Sequence, residues 1–91
     1  MRGIVVARKL SKDLVYILVE EDCTLTEFEN TDCELFEAGD YVTGNFQTGG
    51  SEDIYNHTQG LMISGTVQRY GRQPKPIYLP YYGLFSSLPS E

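Results

Sequence analysis

The sequence predicts an all-β fold, a small single-domain barrel of five to seven short antiparallel strands. Three observations predict it. Short runs rich in Val, Ile, Leu, Thr, Tyr and Phe are separated by glycines and polar turn residues. No stretch of ten or more residues repeats apolar positions at helical spacing, so no long helix is expected. Glycines also sit inside the strand-like runs, at Gly44 and Gly65, where a strand bends or bulges as a barrel closes. The 91-residue length fits one modest core, since such a chain buries roughly 60–65% of its unfolded surface.

The elements follow in order. Residues 3–9 make a first strand and residues 13–20 a second, joined by Ser11 and Lys12. The second run is apolar on both faces, so it should be central and covered on both sides. Residues 23–29 alternate Leu25 and Phe28 with acidic or hydroxyl positions, as a half-exposed strand does. Asn30-Thr31 reads as a turn, so residues 33–37 return as the other arm of a hairpin, an edge strand or a single helical turn. Residues 41–46 form the next strand, after the turn at Ala38-Gly39-Asp40. Residues 47–53 read as a loop, Ile54-Tyr55 as a short strand at most, and residues 61–70 as the last long strand. The run Gly39-Asp40-x-Val42-x-Gly44 resembles the turn that enters the fourth strand of OB-fold barrels, so the architecture is expected to be OB-like or SH3-like. The aromatic nucleic-acid motifs of cold-shock domains are not matched.

Beyond this barrel domain, residues 1–72, lies a tail, residues 73–91, that holds all four prolines. Prolines disfavour helix and central strand, so the tail is expected to be extended. Its Ile77, Tyr78, Leu79, Tyr81, Tyr82, Leu84, Phe85 and Leu88 are too apolar for a solvated linker. Either it packs on the barrel, closing an open end, or it docks on another chain through Tyr78, Tyr81, Tyr82 and Phe85. No Pro-x-x-Pro ligand pattern forms.

The charge is segregated. Lys and Arg number 7 against 13 Asp and Glu, a net −6. Residues 13–53 carry twelve acids and no base, and residues 54–68 carry no full charge. The bases are Arg2, Arg8, Lys9 and Lys12 at one end of the chain and Arg69, Arg72 and Lys75 at the other. If the first and last strands are neighbours, these bases gather at one pole. The acidic block would suit a basic protein partner. The basic pole, with Arg2, Arg8, Lys9, Arg69, Arg72 and Lys75 interleaved with Tyr70 and Tyr78, would suit single-stranded nucleic acid.

Other chemistry is sparse. Cys23 and Cys33 with His57 are too few for a zinc site. Cys23 lies too far along the strand to bridge Cys33, so both thiols are expected to be reduced. Glu20-Glu21-Asp22 alternate faces in a strand, and no calcium-loop spacing occurs. No nucleophile–base pair, P-loop or dinucleotide fingerprint is present. The repeat of Asp-Cys-x-Leu at positions 22 and 32 reads as coincidence. His57 reads as a loop histidine, and Asn56-His57-Thr58 as a glycosylation acceptor only in a secreted chain. The run Ile4 to Ala7 is too short for a secretory signal or a membrane span, so a cytoplasmic location is expected. The expected function is a non-enzymatic protein-interaction module without cofactors. It would act through the acidic surface, the aromatic tail or self-association, the alternative being a small OB-like nucleic-acid-binding protein.

Overall fold

A computed structural model describes residues 1–89, so Ser90 and Glu91 of the expected tail lie outside the described residues. Six strands close into an antiparallel barrel: β1 (Arg2–Lys9), β2 (Leu14–Val19), β3 (Thr24–Glu29), β4 (Tyr41–Thr43), β5 (Gly50–Asn56) and β6 (Leu61–Arg72). The order around the barrel is β1-β2-β3-β6-β5-β4, with β4 returning to β1. Two three-strand meanders, β1-β2-β3 and β4-β5-β6, are therefore joined along β3–β6 and β1–β4. Closure through β1–β4 rests on a short ladder, Arg2↔Thr43, Gly3↔Val42 and Ile4↔Tyr41. The ladder of β4 with β5 is also short, Val42↔Asn56 and Thr43↔Tyr55, so the barrel closes at one end of these strands.

Side-chain alternation sorts the residues into two apolar groups. Val5, Val15, Ile17, Val19, Phe28, Val42, Ile54, Ile63 and Val67 point inward, with Phe36 and Phe46 packed among them from the connections. Phe36 meets Phe28 edge to face, with centroids 6.0 Å apart. The opposite parity places Ile4, Val6, Leu18 and Leu25 on the outer wall, with Tyr41. An extra residue in β1 between Val5 and Ala7 puts Val6 on that outer face. The expectation that the second strand is covered on both sides is met: Ile17 and Leu18 face opposite ways and both are buried.

The tail provides the outer cover. It is not extended, as its prolines suggested; Pro76–Ser87 is a run of 3₁₀ turns. Such turns are short units closed by i→i+3 bonds, and Pro is tolerated where a turn begins. Pro76 and Pro80 thus punctuate turns instead of forbidding them. Nor does the tail plug an end of the barrel. It lies across the outer wall of β1 and β2, where Phe85 is buried against the cluster of Ile4, Val6, Leu18 and Leu25. Arg2 fastens it: Nε donates to Glu20 Oε1 at 2.7 Å, Nη1 donates to the Pro89 carbonyl at 2.8 Å, and the guanidinium lies 5.9 Å from the Phe85 ring centroid.

Three other local expectations change. Residues 24–29 and 33–37 do not form a hairpin, because β3 pairs with β2 and β6 on its two sides. Cys33–Leu35 is instead a single 3₁₀ turn, one of the two forms the sequence allowed. The run from residue 41 is strand only to Thr43, and Gly50–Asp53, read as loop, begins β5. Both thiols are free, as expected; Cys33 is buried in the core and Cys23 sits in the β2–β3 turn. No helix among the described residues is long and apolar enough to cross a membrane.

Candidate functional site

Most of the basic residues converge, but not by the route expected: β1 and β6 are not neighbours, since β2 and β3 lie between them, and Arg2 stays apart with Glu20. Cross-strand register sets the surface. Leu14 lies opposite Glu29, Tyr16 opposite Glu27, and Leu18 opposite Leu25. On the far side of β3, Glu27 lies opposite Arg69 and Leu25 opposite Arg72. These residues share the outer parity. Below the tail they form an open cleft of about 410 Å³, walled by Arg8, Lys9, Arg72, Lys75 and Tyr78 over a floor of Tyr16 and Glu27. A second recess of about 420 Å³ adjoins it, where Lys12, Arg69 and Glu29 meet the same Tyr16 and Glu27; Glu29 Oε1 accepts from Gln68 Nε2 at 2.9 Å.

The charged heads here are largely uncommitted. Among the described residues, Lys9, Lys12, Arg69, Arg72, Lys75 and Glu27 make no side-chain hydrogen bond or ion pair. Arg8 does not present its charge to this face: it lies opposite the inward Val15, and its Nη1 donates to the Phe36 carbonyl at 2.8 Å. Burial pushes the Tyr16 hydroxyl above its ordinary pKa; Glu27 and Tyr78 add to the rise, and Arg69 opposes it. Tyr16 is thus a neutral, half-buried ring flanked by cations, and a base can stack on such a ring beside a held phosphate.

Not every expected residue joins this face. Arg2 lies at the other end of β1, held by Glu20 and the tail. Tyr70 lines neither recess and stands near Gly49. Tyr16, Lys12 and Glu27 were missed as members of the site. Period-2 alternation through Leu14, Tyr16 and Leu18 was the available signal for Tyr16, but only the register reveals what lies beside it.

The tail aromatics divide. Phe85 is buried, and Tyr82 packs edge to face on it at 5.2 Å while donating to the Glu20 carbonyl at 2.7 Å. Tyr81 is half-buried on the same cluster, and Tyr78 forms a wall of the cleft. The outward surface of the tail is instead Ile77, Leu79 and Leu84.

The acidic block forms no single face. Glu21 and Asp22 lie in the β2–β3 turn, whereas Asp32, Glu34 and Glu37 lie in the β3–β4 connection at the other end of the barrel. Asp40 is buried: its Oδ2 accepts from Asn56 Nδ2 at 2.9 Å, Gln59 Nε2 at 3.2 Å and the Glu37 backbone N–H at 3.0 Å. This knot ties the β3–β4 connection to the β5–β6 turn. It also removes Asn56 from solvent, so the folded chain offers no glycosylation acceptor there. His57 stacks on Tyr41 at 4.3 Å, with Nε2 2.9 Å from Thr43 Oγ1. No group of three or more His, Cys, Asp or Glu among the described residues converges to hold a metal ion.

The site and fold thus define a small closed β-barrel with a cationic and aromatic face. No protein-family model, no curated protein and no solved structure matches the chain.

Proposed function

We propose that this protein is a non-enzymatic, OB-like binding module, cytoplasmic in location, that holds a short single-stranded nucleic acid across the outer face of β1, β2, β3 and β6. The observation that carries the reading is the convergence of Lys9, Lys12, Arg69, Arg72 and Lys75, none with a side-chain partner among the described residues, around Tyr16. Five long cations crowded together repel one another, and an anionic ligand relieves that repulsion. Phosphates neutralised by Lys and Arg release counterions, while bases stack on aromatic rings with about 1–3 kcal/mol each. An open, rimmed surface suits a strand better than an enclosed small molecule. The net charge of −6 opposes binding at long range, so affinity depends on the local face and falls steeply with salt.

The test is a titration of labelled single-stranded DNA and RNA at two salt concentrations, with the wild type and Arg72→Glu. Salt-sensitive binding that the variant weakens supports the reading. Absence of binding by the wild type at low salt removes it.

A second reading keeps a partner protein. The exposed Ile77, Leu79 and Leu84 on the outer side of the tail favour it, and Phe85 and Tyr82, engaged with their own barrel, do not contribute anchors. Mass in solution for the full chain and for Leu79→Ser with Leu84→Ser tests self-association through this strip. A dimer that the double variant dissolves supports it, and a monomer throughout removes self-association.

A further inference from the structure

Glu27 is the feature that a plain phosphate-binding surface does not explain. It stands where the two recesses meet, beside Tyr16 on one strand and Arg69 on the other, and its side chain makes no hydrogen bond or ion pair among the described residues. A carboxylate there repels phosphate. It is well placed, however, to accept hydrogen bonds from a base.

Resting on the nucleic-acid reading above, we propose that Glu27 is a specificity-determining residue that selects an unpaired guanine stacked on Tyr16. The argument is one of donor patterns. An ionised carboxylate only accepts, through two oxygens side by side. Guanine offers two adjacent donors on its Watson–Crick edge, N1–H and N2–H, which match those oxygens in a bidentate pair. Adenine and cytosine each set an amino donor beside a ring-nitrogen acceptor, which meets one carboxylate oxygen with repulsion. Thymine and uracil offer a single N3–H flanked by two carbonyls. Only guanine presents donors to both oxygens, and it does so only when unpaired, so the ligand is single-stranded.

Distances suit the arrangement. Directly opposed residues on antiparallel strands have Cβ atoms about 4.5–5.5 Å apart. A base lying on the Tyr16 ring therefore brings its edge within reach of the Glu27 side chain. The strand on either side of that base runs toward Arg72 and Lys75 in one recess and toward Lys12 and Arg69 in the other, where Glu29 is engaged by Gln68.

The test uses fluorescence anisotropy at low salt with the full-length protein. The probes are a fluorescein-labelled ten-nucleotide oligothymidylate and the same oligomer with one central guanine, adenine or cytosine. The wild type is expected to bind the guanine oligomer about tenfold more tightly than the other three, within the range for one bidentate base contact. Glu27→Gln is expected to lose that preference. It should bind oligothymidylate at least as well as the wild type, since a like charge is gone. Glu27 lies on the outer wall, and an unchanged melting curve shows that the variant folds. Wild type without a guanine preference, or a preference that persists in Glu27→Gln, overturns the role of Glu27 and leaves the nucleic-acid reading standing. Failure of every oligomer to bind the wild type overturns both.

Discussion

Gly65 shows how much a single residue determines here. A Cβ built at this position would meet the Glu29 carbonyl oxygen and, at 2.6 Å, the Phe28 ring. Phe28 is fully buried, and the Glu29 carbonyl belongs to the strand beside it, so neither yields easily. Gly65→Ala is expected to destabilise the fold by about 2 kcal/mol through overpacking, read as a lower urea midpoint with unchanged slope. A midpoint equal to wild type would show that β6 shifts freely. Glu20 makes a second prediction. Its hydrogen bond and charge interaction with Arg2 hold its carboxyl below the ordinary value of 4.5, against a smaller opposing effect of burial. A depressed folded-state pKa stabilises the fold above the unfolded pKa, and the contribution is lost as pH falls through the folded value. Tail attachment should therefore loosen on acidification below about pH 4.5, read as loss of near-ultraviolet tyrosine dichroism. Glu20→Gln should be looser at neutral pH and flat across the same window. An identical acid response in the variant would assign the effect to other carboxylates.

At the scale of elements, the tail decides the most. Phe85 is its one fully inserted anchor, so Phe85→Ala should cost about 3 kcal/mol. If the tail undocks before the barrel melts, the wall of Ile4, Val6, Leu18 and Leu25 becomes exposed. The expected readout is binding of an apolar dye, absent in wild type, with the barrel's far-ultraviolet dichroism retained. A variant that neither loses stability nor binds dye would mean that the tail contributes little to covering the wall. The tail's apolar content was legible in the sequence, and its need for cover followed. Its 3₁₀ geometry was not, because proline excludes regular helix and strand but permits several kinds of turn. Strand β5 was missed for a related reason. Gly50, Ser51, Glu52 and Asp53 have low strand propensity, yet they pair with Val67, Thr66, Gly65 and Ser64 because the barrel needs a neighbour for β6.

Across the whole molecule, electrostatics follow topology. Bases that lie far apart in the chain meet at the two recesses because β1 and β6 flank the β2–β3 pair. Oligonucleotide binding should show log affinity falling linearly with log salt, losing about 0.7 per phosphate held for a single strand. Three or four phosphates across the two recesses would give a slope of about −2 to −3. Arg69→Ala with Arg72→Ala should make it shallower by about 1.4. A slope near zero for the wild type would contradict an electrostatic contact. The acidic residues do not form a counterpart face, since the barrel sends their turns to opposite ends and buries Asp40.

The sequence by itself determined the all-β class, the central second strand, the apolar nature of the tail and the separation of basic from acidic segments. These depend on composition and on period-2 alternation, which are local properties. Only the tertiary structure decided that Arg2 fastens the tail while Arg69 and Arg72 stand free, that Tyr16 is the floor of the site, and that Glu27 lies among the cations. Register between strands far apart in sequence governs those outcomes. One residue of slip, such as the bulges between Leu25 and Phe28 on β3 and their partners on β6, sends a side chain to the other face of the wall.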